Sequence, residues 1–286
     1  MLFSILTPSF GYGRFMEACV RSVLEQEGVE VEHIVMDGES RDDTVEVLER
    51  LSAADPRLWW ASEPDDGQSD ALNKALLRAR GDWIGWLNVD EVYLPGALLA
   101  VQTTISRVPD VGLVHGDFYE MNAEGRCTRL VAEHGWSPRA LRRGCYIPTC
   151  ATFFRRDNFT DVENWDSRLP SMMDWDLFLR LTGRGAKVAH VRQALAGFRV
   201  HPGQVTGSDN AQSVEEFTAI RRSHGIPESG PALALTLMSG RIAHVGRKAL
   251  NGGYLRERRT AARLAGRTVV SPVSHEVGGE WRVQHG

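Results

Sequence analysis

The sequence contains no apolar run close to the ~20 residues that a membrane-spanning helix needs. Its first residues, MLFSILTPSF, carry no basic group ahead of the apolar part, so a signal peptide is not expected. The cysteines Cys19, Cys127, Cys145 and Cys150 form no CxxC pair, which argues against a zinc site. These absences predict a cytoplasmic protein with reduced thiols, either free in the cytoplasm or associated with the inner face of a membrane.

A glycine-rich phosphate loop is also missing. Gly11-Tyr12-Gly13-Arg14 supplies only GxGR, without the further glycine or the Lys-Ser/Thr pair of the nucleotide-binding fingerprints. If the protein binds a diphosphate, a cation or basic side chains would have to hold it.

Charge is spread unevenly over a chain whose net charge is −4. Residues 230–286 hold nine basic and three acidic side chains, so the rest of the protein is acidic. An acidic body argues against nucleic acid as a partner. The basic C-terminal region is either a solvated helix face or a surface for an anionic membrane or a second subunit.

The first 110 residues alternate short apolar runs with segments of helical period. Strands are predicted over 3–7, 31–36, 58–62 and 83–87, and helices over 14–26 and 95–107. Another helix follows Gly67, with Ala71 and Ala79 among its inward residues, and Gly81 stops it. A further helix is predicted after Ser40, which with Asp43 resembles a capping box. This alternation predicts an α/β fold with a mostly parallel sheet and helices on both faces.

After residue 110 the pattern changes. Strands are predicted over 111–115, 118–121, 127–131 and 151–155, then as a pair over 187–191 and 194–200, with a helix over 174–182. Helices fill most of the remainder. We therefore expect a domain over 1–208, divided into a nucleotide-binding half (1–110) and an acceptor half (111–208), and a helical, basic extension over 209–286.

Polar residues cluster where the predicted parallel strands end. They are Thr7-Pro8-Ser9, Asp37-Gly38, Glu63 to Gly67 and Asn88-Val89-Asp90-Glu91. Ligands of open α/β sheets bind at the carboxyl ends of the strands, so this edge is the predicted site. Asp90 and Glu91 are hard oxygen ligands of the kind that suits Mg²⁺ or Mn²⁺. A solvated turn, or a helix cap at Asp90, is the alternative.

Seven segments in order resemble family 2 of the glycosyltransferases, which have the GT-A nucleotide-sugar fold. They are SILTPSFGYGRFMEACVRSVLEQ (4–26), HIVMDGESRDDTVEVL (33–48), ASEPDDGQSDALNKAL (61–76), GDWIGWLNVDEVYLPGAL (81–98), YIPTCATFFRR (146–156), MDWDLFLRL (173–181) and GFRVHPGQVTGS (197–208). The resemblance implies a GT-A mixed sheet flanked by helices and an inverting transfer from a UDP- or dTDP-sugar. It implies a glycan, glycolipid or small-molecule acceptor, as in cell-surface polysaccharide biosynthesis.

The resemblance also implies roles for individual residues. Donor-binding residues would be Thr7, Pro8, Ser9, Asp37, Asp65, Gly67, Gln68, Lys74, Asn88 and Asp90. Asp37 would accept a hydrogen bond from the base, and a turn aspartate is the alternative. Asn88 replaces the first acid of the DxD motif, which leaves Asp90, Glu91 and His201 as the implied ligands of Mg²⁺ or Mn²⁺. His201 could equally be structural.

The family pattern makes Asp174 the general base, although an aspartate at a helix start could also serve as a cap. Asp176, Arg180 and Arg199 would support the site, with Asp176 and Arg180 paired at i,i+4. Two rival functions remain at this point. One is a nucleotide-sugar-binding protein without turnover, and the other is a sugar-1-phosphate nucleotidyltransferase, whose loop after the first strand would differ from TPSFGYGR.

Overall fold

The structure is a computed structural model that describes residues 1–159, 164–202, 204 and 211–264. The first half alternates strands and helices as predicted. Its elements are β1 (Leu2–Ser9), α1 (Gly13–Leu24), β2 (Glu30–Asp37), α2 (Thr44–Ala54), β3 (Leu58–Ser62), α3 (Gln68–Arg78), β4 (Trp83–Trp86), the short β5 (Val92–Tyr93) and α4 (Ala97–Arg107).

The second half mixes strands and helices in a different order. Its elements are β6 (Val111–Met121), β7 (Cys127–Val131), α5 (Pro138–Arg143), β8 (Thr152–Arg155), α6 (Met173–Gly183), β9 (Lys187–Arg199), α7 (Ala211–Ser223), α8 (Gly230–Leu250) and α9 (Gly253–Leu264). No helix among these described residues is long and apolar enough to cross a membrane.

One mixed sheet joins both halves in the order β3-β2-β1-β4-β8-β6-β9-β5, with β7 beside β6. Strands β3, β2, β1 and β4 pair in parallel, whereas β8 runs antiparallel to both β4 and β6. The predicted α/β architecture, a mixed sheet flanked by helices with helices following it, is confirmed. The parallel part carries the strand ends at which the site was predicted.

The core lies on both faces of this sheet because neighbouring residues of a strand point to opposite sides. Leu6 of β1 packs with Leu72 of α3 and Trp175 of α6. Ile5 packs on the other face with Val101 of α4 and Phe153 of β8. A strand buried on both faces reads as a continuous apolar run, which is why β1 could be recognised in the sequence.

Three local predictions were wrong. The helix expected after Ser40 begins only at Thr44, and the Ser40 hydroxyl donates to Asp37 instead of capping it. The strands predicted over 111–115 and 118–121 are one strand, β6, and the two predicted over 187–200 are one strand, β9. These two strands pair with each other through several register shifts. These shifts break the alternation of side chains and so imitate a strand boundary in the sequence.

The predicted boundary near residue 208 lies outside the described residues. The last part of the basic region, residues 265–286, lies outside them as well. The division into 1–208 and 209–286 therefore stays a prediction.

Candidate active site

A cavity of about 600 Å³ opens at the carboxyl ends of β1, β2 and β4, where the polar strand ends were predicted to meet. Seven of the predicted donor-binding residues line it: Pro8, Ser9, Asp65, Gly67, Gln68, Asn88 and Asp90. Gly67 has a φ of 101°, which a side chain would disfavour, and this turn places Asp65 and the start of α3 on the cavity wall.

Asp37 lies beneath this wall and is fully buried. Its carboxylate accepts hydrogen bonds from the Ser40 N–H (3.0 Å), the Ser40 hydroxyl (2.5 Å) and the Ser62 hydroxyl (2.7 Å). This is the arrangement of a turn aspartate, the alternative role considered for it. A carboxylate has about four acceptor positions, so one is left for a further donor.

Asn88 uses its side-chain oxygen within the protein. Gln68 Nε2 donates to Asn88 Oδ1 at 2.5 Å, and Trp86 Nε1 donates to it at 2.8 Å. With two donors on this oxygen, the first position of the motif is not arranged as a cation ligand.

Asp90 pairs with His201, which lies 111 positions further along the chain. His201 Nε2 lies 3.1 Å from Asp90 Oδ2, and His201 Nδ1 lies 2.9 Å from the carbonyl oxygen of Pro202. The His201 side chain is fully buried. Because only an N–H can face the Pro202 carbonyl, a neutral His201 would direct the Nε2 lone pair at the Asp90 carboxylate. Two acceptors would then meet at one point.

Arg199 holds this arrangement from below. The buried Arg199 donates from Nε to the backbone oxygen of Asp90 (3.0 Å) and from Nη1 to that of Ala123 (2.9 Å). Its guanidinium lies 4.6 Å from the centre of the Phe15 ring. The side chain fixes the loop that carries Asp90 and does not line the cavity.

Glu91, predicted as a metal ligand, points into the core. It is 1% exposed, and its Oε2 accepts the Asn88 N–H at 2.8 Å. Burial, and then the neighbouring Asp90 charge, raises the pKa of Glu91 well above its usual range. The carboxyl is therefore a core group that supports the loop through the Asn88 N–H and does not line the cavity.

Two other predicted donor residues lie away from the cavity wall. Thr7 is fully buried, donates to the Leu87 carbonyl oxygen at 2.7 Å and contacts His33 Nε2 at 2.8 Å. Lys74 lies on the outer side of α3, where its ammonium donates to the Pro64 carbonyl oxygen at 2.7 Å and pairs with Asp70 at 3.0 Å.

Asp174 begins α6 and lines a second cavity of about 510 Å³. Its carboxylate accepts the Trp175 N–H at 2.6 Å and the Cys145 thiol at 3.5 Å. Desolvation raises the pKa of Asp174 above its usual value. Asp176 points elsewhere and accepts from Arg180 at 2.7 Å, which confirms the predicted i,i+4 pair, and contacts His224 at 2.8 Å.

The two cavities have no lining residue in common within the described chain, but residues next to their walls are in contact. The Ser69 hydroxyl lies 2.6 Å from the Met173 sulfur. Ser69 follows Gln68, which lines the first cavity, and Met173 precedes Asp174, which lines the second. Helices α3 and α6 thus touch between these two lining residues.

Residues 4–158 match the family model of glycosyl transferase family 2, which is more than half of the chain. The chain belongs to this family. The predicted enzyme class, a glycosyltransferase, is thereby confirmed at the level of the family.

Curated relatives agree with this family. An uncharacterized protein of Mycobacterium tuberculosis is 31% identical over 65% of this chain and 63% of its own length. A chondroitin synthase of Pasteurella multocida is 26% identical over 78% of this chain but only 23% of its own length. This glycosyltransferase thus spans less than two thirds of these relatives.

Solved structures show the same fold. S. aureus TarS in complex with UDP-GlcNAc superposes with a TM-score of 0.67 at 17% identity, over 85% of this chain and 73% of that one. The mannosyltransferase PcManGT from Pyrobaculum calidifontis, in complex with GDP-Man and Mn²⁺, gives 0.61 at 16% identity over 93% and 80%. The expected GT-A fold is confirmed.

Five residues that line the donor-side cavity were not placed at the site from the sequence: Phe10, Tyr12, Ala71, Phe198 and Gln204. Phe10 is 69% exposed at a strand end, and an aromatic residue placed directly after TPS was an available signal. A further group, Glu133, His134 and His244, has ligand-type atoms within 4.8 Å of one another. It contains none of the predicted metal ligands, and no spacing in the sequence links its members.

Proposed function

We propose that this glycosyltransferase moves a sugar from a nucleoside diphosphate sugar to an acceptor hydroxyl with inversion. The donor would lie in the cavity of about 600 Å³, with its nucleotide along β1 and α3 and its diphosphate towards Asp90. UDP- and dTDP-sugars are the donors we favour, and a glycan or glycolipid is the class of acceptor. The observation that carries this proposal is the contact between Asp90, which lines that cavity, and the buried His201.

The residues at this point fit a divalent cation. Asp90 Oδ2 and His201 Nε2 lie 3.1 Å apart, and one carboxylate oxygen and one imidazole nitrogen suit Mn²⁺ or Mg²⁺ with water and phosphate completing the shell. When bound, the ion would supply positive charge to the diphosphate leaving group. Arg199 keeps the Asp90 backbone in place for this task.

Asp174 would act as the base from the other side of the α3–α6 contact. Its carboxylate would take the proton of the acceptor hydroxyl, whose oxygen then forms a bond to the anomeric carbon while the bond to the nucleoside diphosphate breaks. A base must be ionised, and burial makes the Asp174 carboxylate more basic than an exposed one. Donor and acceptor thus enter from separate cavities, which favours transfer to an acceptor over transfer to water.

The test is a binding titration of UDP, dTDP and GDP with and without Mn²⁺, by thermal shift and calorimetry. We expect one diphosphate to raise the melting temperature more strongly with Mn²⁺, since ligands that bind the folded state stabilise it by mass action. Asp90→Asn should lose the Mn²⁺-dependent part. Asp110→Asn, which removes an equal charge from an exposed position that does not line the cavity, should keep it.

Binding of all three diphosphates that is indifferent to both Mn²⁺ and Asp90→Asn would overturn the proposed cation site. Hydrolysis of the donor sugar, measured in the same samples, separates a transferase from a protein that only binds nucleotide sugars. Binding without turnover in the presence of any acceptor would favour the latter. The loop after β1 gives no support to a nucleotidyltransferase.

We also propose that the C-terminal helices contact an anionic membrane peripherally. Leu235, Met238, Ile242 and Val245 recur at helical spacing on α8 and are 44–65% exposed. Exposed Arg241 and Arg247 on the same helix supply the charge that anionic lipid headgroups attract.

Flotation with phosphatidylglycerol and phosphatidylcholine vesicles tests this contact. The protein should float with the anionic vesicles only, less so at high salt, and Leu235→Glu with Ile242→Glu should abolish flotation. Absence of flotation at low salt, with a dimer in solution that the same double variant dissociates, would assign the surface to a second copy of the chain.

A further inference from the structure

The second cavity contains cationic groups that form no ion pair with an anionic group among the described residues. Arg143 and Arg221 line it together with Asp174. Neither arginine forms an ion pair within the described part of the chain. Arg221 is only 9% exposed, and its Nε has no hydrogen-bond partner there.

Burial of the Arg221 guanidinium is energetically unfavourable when no ligand is bound. Removing a guanidinium from water without a compensating anion is unfavourable, and a ring face recovers only part of the loss. The Arg221 guanidinium lies 4.1 Å from the centre of the Phe217 ring. Its neighbour Arg222, by contrast, is exposed and pairs with Glu228 at 2.7 Å. An arginine at this end of α7 can therefore be paired with a carboxylate, as Arg222 is, but Arg221 is not.

Asp174 does not neutralise the charge of Arg143 or Arg221. The Asp174 carboxylate accepts from the Trp175 N–H and the Cys145 thiol, and no ion pair joins it to either arginine. The cavity thus offers three separate features: the Asp174 carboxylate, two arginines without an ion-pair partner among the described residues, and an apolar surface. The apolar surface comes from Phe217 and Leu237.

We infer that this cavity binds an acceptor with an anionic group, a carboxylate, sulfate or phosphate, which Arg221 and Arg143 hold while Asp174 faces the reacting hydroxyl. The inference rests on the proposed function and adds the class of acceptor to it. A planar guanidinium offers paired donors that match these oxyanions, so a neutral sugar would leave the Arg221 donors unsatisfied. Discrimination between charged and neutral acceptors would follow from this loss.

The experiment measures binding of glucuronate, glucose 6-sulfate, glucose 1-phosphate and neutral glucose to the full chain by calorimetry, at one ionic strength set with sodium chloride. At least one anion should bind at least ~10-fold more tightly than glucose, the factor expected for one charge-assisted hydrogen bond. The strongest of the three names the group. Arg221→Gln should remove this preference, Arg221→Lys should retain part of it, and Arg222→Gln should leave it unchanged.

If Arg221→Gln does not fold, Arg143→Gln tests the same point, because Arg143 is exposed and its replacement should reduce the preference by a few fold. Equal binding of glucose and all three anions to the wild type, or an anion preference that survives loss of both arginines, would overturn the inference. A parallel titration with UDP and Mn²⁺ keeps the two proposals apart. UDP binding without anion preference rejects this inference alone, and anion preference without UDP binding rejects the donor assignment alone.

Discussion

The two halves of the molecule differ in how many of their buried charged groups lack a hydrogen-bond partner. In residues 1–110, Glu91 is the only Asp, Glu, Lys or Arg with a buried side-chain atom that lacks a hydrogen-bond partner in the described chain. Beyond residue 110 four such groups occur: Glu133, Glu216, Arg221 and Arg256. The unpartnered buried groups of the donor side are thus mostly uncharged, whereas the other side keeps several charged atoms that only a ligand, water or a proton can satisfy.

This difference follows from how each half is assembled. On the donor side, a polar strand end and the helix after it are neighbours in sequence, so Asp37 finds Ser40 three residues away. On the other side, the contacts bridge distant segments: His134 meets His244, and Asp117 meets Arg256. Much of the proposed donor side is therefore built from local contacts, whereas the proposed acceptor side depends on contacts between distant segments.

The largest effect should come from removing the base on the acceptor side. Asp174→Asn preserves size but cannot take a proton, so we expect sugar transfer to fall by about 10²–10⁴-fold. Binding of the nucleoside diphosphate should be unchanged because the two cavities share no described lining residue. Initial rates of transfer and a UDP titration on the same protein check both parts.

Asp110→Asn is the matched control. Asp110 is exposed, pairs with Lys187 at 3.3 Å and has a φ of 57°, which asparagine adopts readily, so transfer should be retained. An Asp174→Asn protein that transfers sugar at the wild-type rate would show that the acceptor hydroxyl loses its proton elsewhere. The comparison between the halves would then lose its catalytic meaning.

Much of the donor side could be predicted from the sequence because its signals are local. Apolar runs bounded by Pro8, Gly38 and Gly67 define the strand ends, and the ends of parallel strands must meet. The direction of each side chain could not be predicted so well. Thr7 adjoins cavity residues yet points inward, because successive residues of a strand face opposite sides, and Glu91 ends a turn that begins at Asn88 and directs it into the core.

The acceptor side resisted prediction for a different reason. Nothing in the spacing of Arg143, Asp174 and Arg221 indicates that α5, α6 and α7 bring them to one cavity. Only the fragment MDWDLFLRL carried a signal there, and it was a family resemblance and not a physical pattern. Packing between distant segments brings the residues of such a site together, and no periodic pattern in a single sequence predicts that packing.

A second effect should appear in the pH dependence of stability. Glu133 is 7% exposed, and burial raises its pKa from 4.5 to about 7. The folded state holds this proton more tightly than the unfolded state, so stability decreases as pH rises from the unfolded pKa towards 7. Glu133→Gln should therefore stabilise the protein at pH 8 relative to wild type, by up to about 3 kcal/mol, with a smaller gain at pH 4.

Urea unfolding of both proteins at pH 4, 6 and 8 measures this difference. His134 and His115 also have pKa values lowered by burial, so the absolute curves will fall at low pH as well. The difference between variant and wild type isolates Glu133 from them. A difference that does not grow with pH would mean that Glu133 is already ionised, with a cationic partner, in the folded protein.

The smallest effect separates a residue on the donor-side wall from one behind it. Ser9 lines the cavity, and its buried hydroxyl has no partner in the described chain, so Ser9→Ala should leave stability unchanged and weaken UDP binding by about 2–10-fold. Thr7→Val should do the reverse, because the Thr7 hydroxyl joins β1 to Leu87 and His33: we expect a loss of about 1–3 kcal/mol in unfolding free energy with UDP affinity retained. Urea unfolding and UDP calorimetry on both variants give the two pairs of values. If Thr7→Val weakened UDP binding more than Ser9→Ala did, the donor side would be a surface that adjusts to its ligand, and the contrast with the acceptor side would disappear.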